Sequence, residues 1–259
     1  MKPLPVILVS GWAHGPEALA WVAESLAGRR TLLCAPFSSP DFRSGGEHGE
    51  LPGPEALERP SSCARAIGKR IGESGGRAFV VGWSAGGMAA LEAAARFPEE
   101  VAGVALLGST ARFCSGEGYP HGAPAGALRA MRRALVRNPG AVLDDFFRRA
   151  SHPGEISEEA LARKTGKALD FGAALLSGGL GYLERTDLRP LLKSIRQPAL
   201  VIHGREDGII PWGAGEYLSR ELSRCAVQFL SGAGHLLAES HPEAVIARLQ
   251  EFLEDFQDA

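Results

Sequence analysis

Cysteine is scarce in this chain and scattered. Its four residues, Cys34, Cys63, Cys114 and Cys225, form no C-x-x-C pair and have no histidine at metal-ligand spacing, which argues against both a zinc site and a disulfide framework. Reduced, mostly buried thiols fit a cytoplasmic protein. Long apolar runs are missing too: no stretch approaches the roughly 18 apolar residues of a membrane span. The short run within Met1 to Trp12 has one lysine and no small-residue cleavage site behind a long enough apolar core, so it reads as a strand rather than a leader. Nor is there an excess of one charge, since a formal net charge of −2 gives no overall field to attract nucleic acid. No internal repeat is visible. Nothing calls for a metal or an organic cofactor, and a monomer is expected.

What is present is a chain of 259 residues, 45% of them hydrophobic, enough for one large α/β domain with a buried core. Short runs rich in Val, Ile and Leu recur between Gly, Pro and Ser: Val6 to Ser10, Thr31 to Ala35, Ala78 to Gly82, Gly103 to Gly108, Ala199 to Gly204 and Ala226 to Leu230. Continuous apolar runs suit strands buried on both faces. Between them Glu17 to Ala27, Ser62 to Glu73, Ala85 to Phe97, Gly213 to Leu222 and Pro242 to Phe256 read as helices. The alternation predicts a mostly parallel sheet of about six strands with helices on both faces. From Arg112 to about Asp187 the alternation stops and only helical stretches follow one another. Residues 1–111 and 188–259 are therefore expected to form the core, and 112–187 a helical cap inserted over the strand ends. The segment Pro36 to Pro60, rich in Gly, Pro and Ser, is expected to be a long surface loop.

Gly-x-Ser-x-Gly occurs twice, at Gly72 to Gly76 and at Gly82 to Gly86. The pattern alone decides little in a chain with 33 glycines; its setting does, because an activated serine needs a strand, a tight turn and then a helix. Ser84 has that setting. Ser74 ends a helix before a strand and reads as a loop serine. A serine hydroxyl is a weak nucleophile near neutral pH and needs a base oriented by an acid. Asp207, in the turn after the run Ala199 to Gly204, supplies a carboxylate at the same sheet edge, with Glu206 as the rival acid. His235, in the glycine-rich loop after the last strand, supplies the imidazole. His203 lies inside a strand, His241 opens a helix, and His14, His48, His121 and His152 come too early for the order Ser, acid, His. A developing oxyanion requires fixed N–H donors. The amide of Ala85, next to Ser84, is one candidate, and that of Trp12, in the loop Ser10-Gly11-Trp12 after the first strand, is the other.

Taken together these motifs resemble the α/β-hydrolase superfamily over nearly the whole chain. Within it the chain is most similar to the pimeloyl-acyl-carrier-protein methyl ester esterases of biotin synthesis, through Gly11-Trp12, Gly82 to Gly87, Gly178 to Arg189, Gly234-His235 and Ser240 to Pro242. The resemblance implies hydrolysis of a methyl ester on a pimeloyl chain carried by acyl carrier protein, with Trp12, Trp83, Phe146, Phe147, Arg149 and Ala150 around the acyl chain. The family's usual His-Gly before the tryptophan is Ser10-Gly11 here. Between Leu128 and Arg149 six arginines face two aspartates, and Arg129, Arg132, Arg133 and Arg137 are expected to attract the acidic carrier. A general short-chain esterase or thioesterase, and a non-catalytic receptor of the same fold, are the alternatives.

Overall fold

The apolar runs become strands of one sheet in a computed structural model of the chain, which describes residues 2–26, 28–39, 42 and 60–257. The strands are β1 (Val6–Val9), β2 (Thr31–Cys34), β3 (Ala78–Trp83), β4 (Val101–Leu107), β5 (Ala199–Gly204) and β6 (Cys225–Leu230). They pair in the order β2-β1-β3-β4-β5-β6, every neighbour parallel. The four inner strands are wholly buried, which is why their sequences run apolar without alternation. Parallel pairing needs crossovers, provided by α1 (Ala20–Ser25), α2 (Ser62–Ser74), α3 (Ala85–Arg96) and later α8 (Trp212–Glu221), with α9 (Leu237–Ser240) and α10 (Pro242–Asp255) closing the chain. The expected helix from Glu17 is split, since Pro16–Leu19 winds as a 3-10 turn, with Ala18 N–H bonded three residues back to Gly15. Ala27 and most of the expected 36–60 loop lie outside the described residues.

Strand order reverses direction at β1, whose neighbours are β2 and β3. In open parallel sheets such a switch point opens a crevice outside the strands' carboxyl ends. The loop after β1 and the turn after β3 both sit there. Between β4 and β5 the chain forms α4 (Ala125–Arg137), α5 (Pro139–Ser151), α6 (Glu158–Leu169) and α7 (Gly172–Arg185). It leaves and returns side by side: Arg112 bridges Asp187 and Leu188 N–H donates to Ala111 at 2.9 Å. These helices turn apolar faces, including Leu128, Leu143, Phe147 and Leu180, away from solvent. They meet the sheet rim directly, where Trp12 Nε1 donates to the Leu176 carbonyl at 2.8 Å and the Trp12 ring meets Phe146 edge-on at 4.9 Å. Among the described residues no helix is long and apolar enough to cross a membrane.

Candidate active site

The turn between β3 and α3 holds Ser84 at φ 56°, ψ −124°, a left-handed backbone conformation that costs an ordinary residue about 1–3 kcal/mol and survives only where its surroundings impose it. They do so here through three bonds: Ser84 N–H donates to Leu107 at 2.9 Å, Gly87 N–H to the Ser84 carbonyl at 2.9 Å, and Ser109 Oγ to the same carbonyl at 2.8 Å. The turn is also too tight for side chains. A Cβ on Gly82 would stand 2.5 Å from the Gly86 carbonyl oxygen, and one on Gly86 would run into the carbonyl oxygens of Val9 and Ser10. The second Gly-x-Ser-x-Gly has no such geometry: Ser74 closes α2, its hydroxyl bonded to the Ile71 carbonyl at 2.7 Å.

His235 Nε2 lies 2.9 Å from Ser84 Oγ, and its Nδ1 lies 2.8 Å from Asp207 Oδ2. Three residues from three strand-end loops thus form one hydrogen-bonded row. Asp207 is fixed from the other side, because its Oδ1 accepts the amides of Ile209 and Ile210, each at 2.8 Å. Burial pushes this carboxyl's pKa up, but the His235 ring and hydrogen bonds from His203 and His235 outweigh burial and hold it well below the usual carboxylate range. The rival acid, Glu206, is turned outward and accepts the Gly232 amide at 2.8 Å. Trp83 Nε1 donates to the His235 carbonyl at 3.1 Å, pinning the loop that carries the imidazole.

The remaining requirement is a pair of donors near Ser84. The loop after β1 presses against the nucleophile, so close that a Cβ on Gly11 would lie 3.0 Å from Ser84 Cβ. Among the described residues neither the Trp12 nor the Ala85 main-chain N–H has an acceptor. Ser84 opens onto a cavity of about 730 Å³ under the inserted helices, walled by Trp12, Phe113, Leu128, Met131, Val142 and Phe146, with Arg133, Arg137 and Arg149 also lining it. Such a slot accepts an apolar chain and meets a charged group at its rim.

The side chains expected around an acyl chain divide. Trp12, Phe146 and Arg149 line this cavity, whereas Trp83, Phe147 and Ala150 do not. Trp83 backs His235; Phe147 faces a second cavity of about 640 Å³ with His14 and Trp21; Ala150 is fully buried. On a helix adjacent residues point about 100° apart, so Phe146 and Phe147 cannot share a wall. The arginine face divides likewise. Glu184 of α7 pairs with both Arg129 at 3.2 Å and Arg132 at 3.0 Å, Arg148 pairs with Glu158 and Arg149 with Asp145. That leaves Arg133 and Arg137, one helical turn apart, without an ion-pair partner among the described residues. The charge count along α4 and α5 could not include Glu184, because it arrives from a distant segment. Sequence reading also missed His203, whose Nε2 lies 2.9 Å from the Ile210 carbonyl and 3.4 Å from Asp207 Oδ2; its place four residues before the acid was the available signal.

A model of the alpha/beta hydrolase family matches residues 6–248. The chain belongs to the alpha/beta hydrolase family. This hydrolase is 29% identical over 255 residues to the biotin biosynthesis bifunctional protein BioHC of Cellvibrio japonicus, covering 98% of the chain but only 48% of that protein. It is 32% identical over 208 residues to a pimeloyl-[acyl-carrier protein] methyl ester esterase of Neisseria meningitidis, covering 80% of the chain and 79% of the relative. Among solved structures, an esterase from Exiguobacterium antarcticum superposes with a TM-score of 0.83 at 18% identity, over 98% of this hydrolase and 92% of the other chain. A bromoperoxidase from Bacillus anthracis superposes with 0.82 at 19%, over 97% and 92%. Two such different activities at similar distance mark these structures as evidence of fold alone.

Proposed function

We propose that this hydrolase is a serine carboxylesterase that removes the methyl ester from a pimeloyl chain carried on acyl carrier protein, a step of biotin synthesis. The observation that carries the reading is the row Ser84, His235, Asp207 opening into an apolar slot with arginines at its edge. In the proposed reaction Ser84 Oγ attacks the ester carbonyl carbon while its proton passes to His235 Nε2. Asp207, kept ionised, stabilises the imidazolium and keeps the proton on Nδ1 directed at itself. The oxyanion is received by the amides of Trp12 and Ala85. Collapse breaks the bond to methoxide, which takes the proton from His235 and leaves as methanol. Water then attacks the acyl-enzyme, giving one proton to His235, which returns it to Ser84 Oγ as the bond to serine breaks; the carboxylic acid released gives its remaining proton to solvent and leaves as carboxylate. The inserted helices act as the lid that keeps this chemistry away from bulk water.

Among the α4 arginines, Arg133 and Arg137 are the ones proposed to meet the acidic carrier, since Arg129 and Arg132 are already paired. Exchanging both for Glu should lower the ratio of kcat/KM on the carrier-bound ester to kcat/KM on free dimethyl pimelate by at least about tenfold at low salt, a gap that narrows as salt screens it. A ratio that does not move would favour the general short-chain esterase. Labelling by a fluorophosphonate probe, abolished by Ser84→Ala, checks the nucleophile; folded wild type that does not label would favour a receptor.

A further inference from the structure

His14 comes too early in the chain to join the hydrogen-bonded row, yet it is buried beside it, with 8% of its surface exposed. Its Nδ1 lies 2.8 Å from the Trp12 carbonyl. That oxygen can only accept, so Nδ1 carries the hydrogen. Burial lowers the imidazole pKa to about 3, with the Trp12 bond opposing and the charges of Lys164 and His235 adding to the fall, so the ring is neutral and Nε2 is a bare lone pair. Among the described residues that buried atom has no partner, and a buried polar atom left so is costly. The ring is wedged against Trp83 at 4.4 Å and Phe147 at 5.4 Å between centroids. Ala13, between Trp12 and His14, is left-handed at φ 61°, and Ser10 Oγ donates weakly to the His14 carbonyl at 3.4 Å.

We infer that His14 is a positioning residue for the oxyanion loop, its Nδ1–H gripping the Trp12 carbonyl so that the Trp12 amide is held toward Ser84. Trp12 is then fixed at both ends, by its indole on the Leu176 carbonyl and by its own carbonyl on His14. The grip stabilises the strained Ala13. The inference rests on reading Ser84 as an esterase nucleophile with the Trp12 amide as oxyanion donor.

The test uses isosteres of each ring nitrogen. Asn places its amide nitrogen where Nδ1 lies, Gln places it nearer Nε2, and Leu supplies bulk without a donor. With p-nitrophenyl butyrate, and sites counted by end-point fluorophosphonate titration so that unfolded protein drops out, His14→Leu and His14→Gln should lose about 10- to 100-fold in kcat, a fraction of the roughly 10²–10³ carried by a whole oxyanion donor. KM should be little changed, and His14→Asn should recover most of the loss. Affinity for an alkyl trifluoromethyl ketone, whose adduct with Ser84 is an oxyanion, should fall in step with kcat, a coupling that a merely structural role would not produce. Equal losses in the Asn, Gln and Leu variants, or unchanged kcat and ketone affinity in the last two, would overturn the assignment. A wild type that neither labels nor turns over would defeat the esterase reading instead.

Discussion

Replacing Asp207 by asparagine isolates the acid's role, because the structure dictates which way the amide must face. Oδ1 accepts two main-chain amides at 2.8 Å, so the asparagine oxygen belongs on that side; turning it round would set an NH2 group against two N–H donors and forfeit two buried hydrogen bonds, about 1–3 kcal/mol each. The NH2 group therefore faces His235 Nδ1, which occupies 2.8 Å from Oδ2 in the native protein. A donor there forces the lone pair onto Nδ1 and the proton onto Nε2, where Ser84 Oγ, 2.9 Å away, needs an acceptor. The wrong tautomer in a serine triad costs on the order of 10⁴ in kcat, which is about 5.4 kcal/mol at roughly 1.36 kcal/mol per tenfold. Hydrolysis of p-nitrophenyl butyrate at pH 7, with folding checked by circular dichroism, measures it. A loss below about tenfold in folded protein would mean that His235 is not the base or that Asp207 does not set its tautomer.

Burial lowers the His14 imidazole to about 3 in the folded chain, from the 6.5 of a free histidine, so its contribution to stability is complete above about pH 6.5 and is lost as pH falls toward 3. By linkage that is about 3 kcal/mol between pH 6.5 and 4. Urea unfolding of wild type and His14→Asn at pH 7.5 and 4.5 should show the variant losing less stability on acidification, and equal losses would refute the burial argument. The lowered Asp207 carboxyl acts in the same sense at more acid pH: its contribution is present above the ordinary carboxylate pKa and disappears as pH falls below it. Gly86→Ala should destabilise by more than about 2 kcal/mol, because its Cβ would enter the carbonyls of Val9 and Ser10; a melting temperature like the wild type's would show that the turn can widen.

Sequence alone determined what depends on local order. Uninterrupted apolar runs fixed four buried strands, because only a strand covered on both faces tolerates such composition. A strand before the motif and a helix after it marked Ser84 over Ser74, since that setting forces a side chain out at the sheet edge. Chain order then pointed to Asp207 and His235, which now stand within hydrogen-bond reach. Tertiary structure decided everything that depends on which distant groups meet. Glu184, 55 residues beyond Arg129, engages two of the four arginines of a basic face that counting charges along α4 had left whole. The helical phase of Phe146 and Phe147 sends neighbouring aromatics into different cavities. The neutral state of His14 and the depressed Asp207 carboxyl arise from burial and from partners that only folding assembles, because the strength of a charge or hydrogen bond depends on a local dielectric that the sequence does not contain.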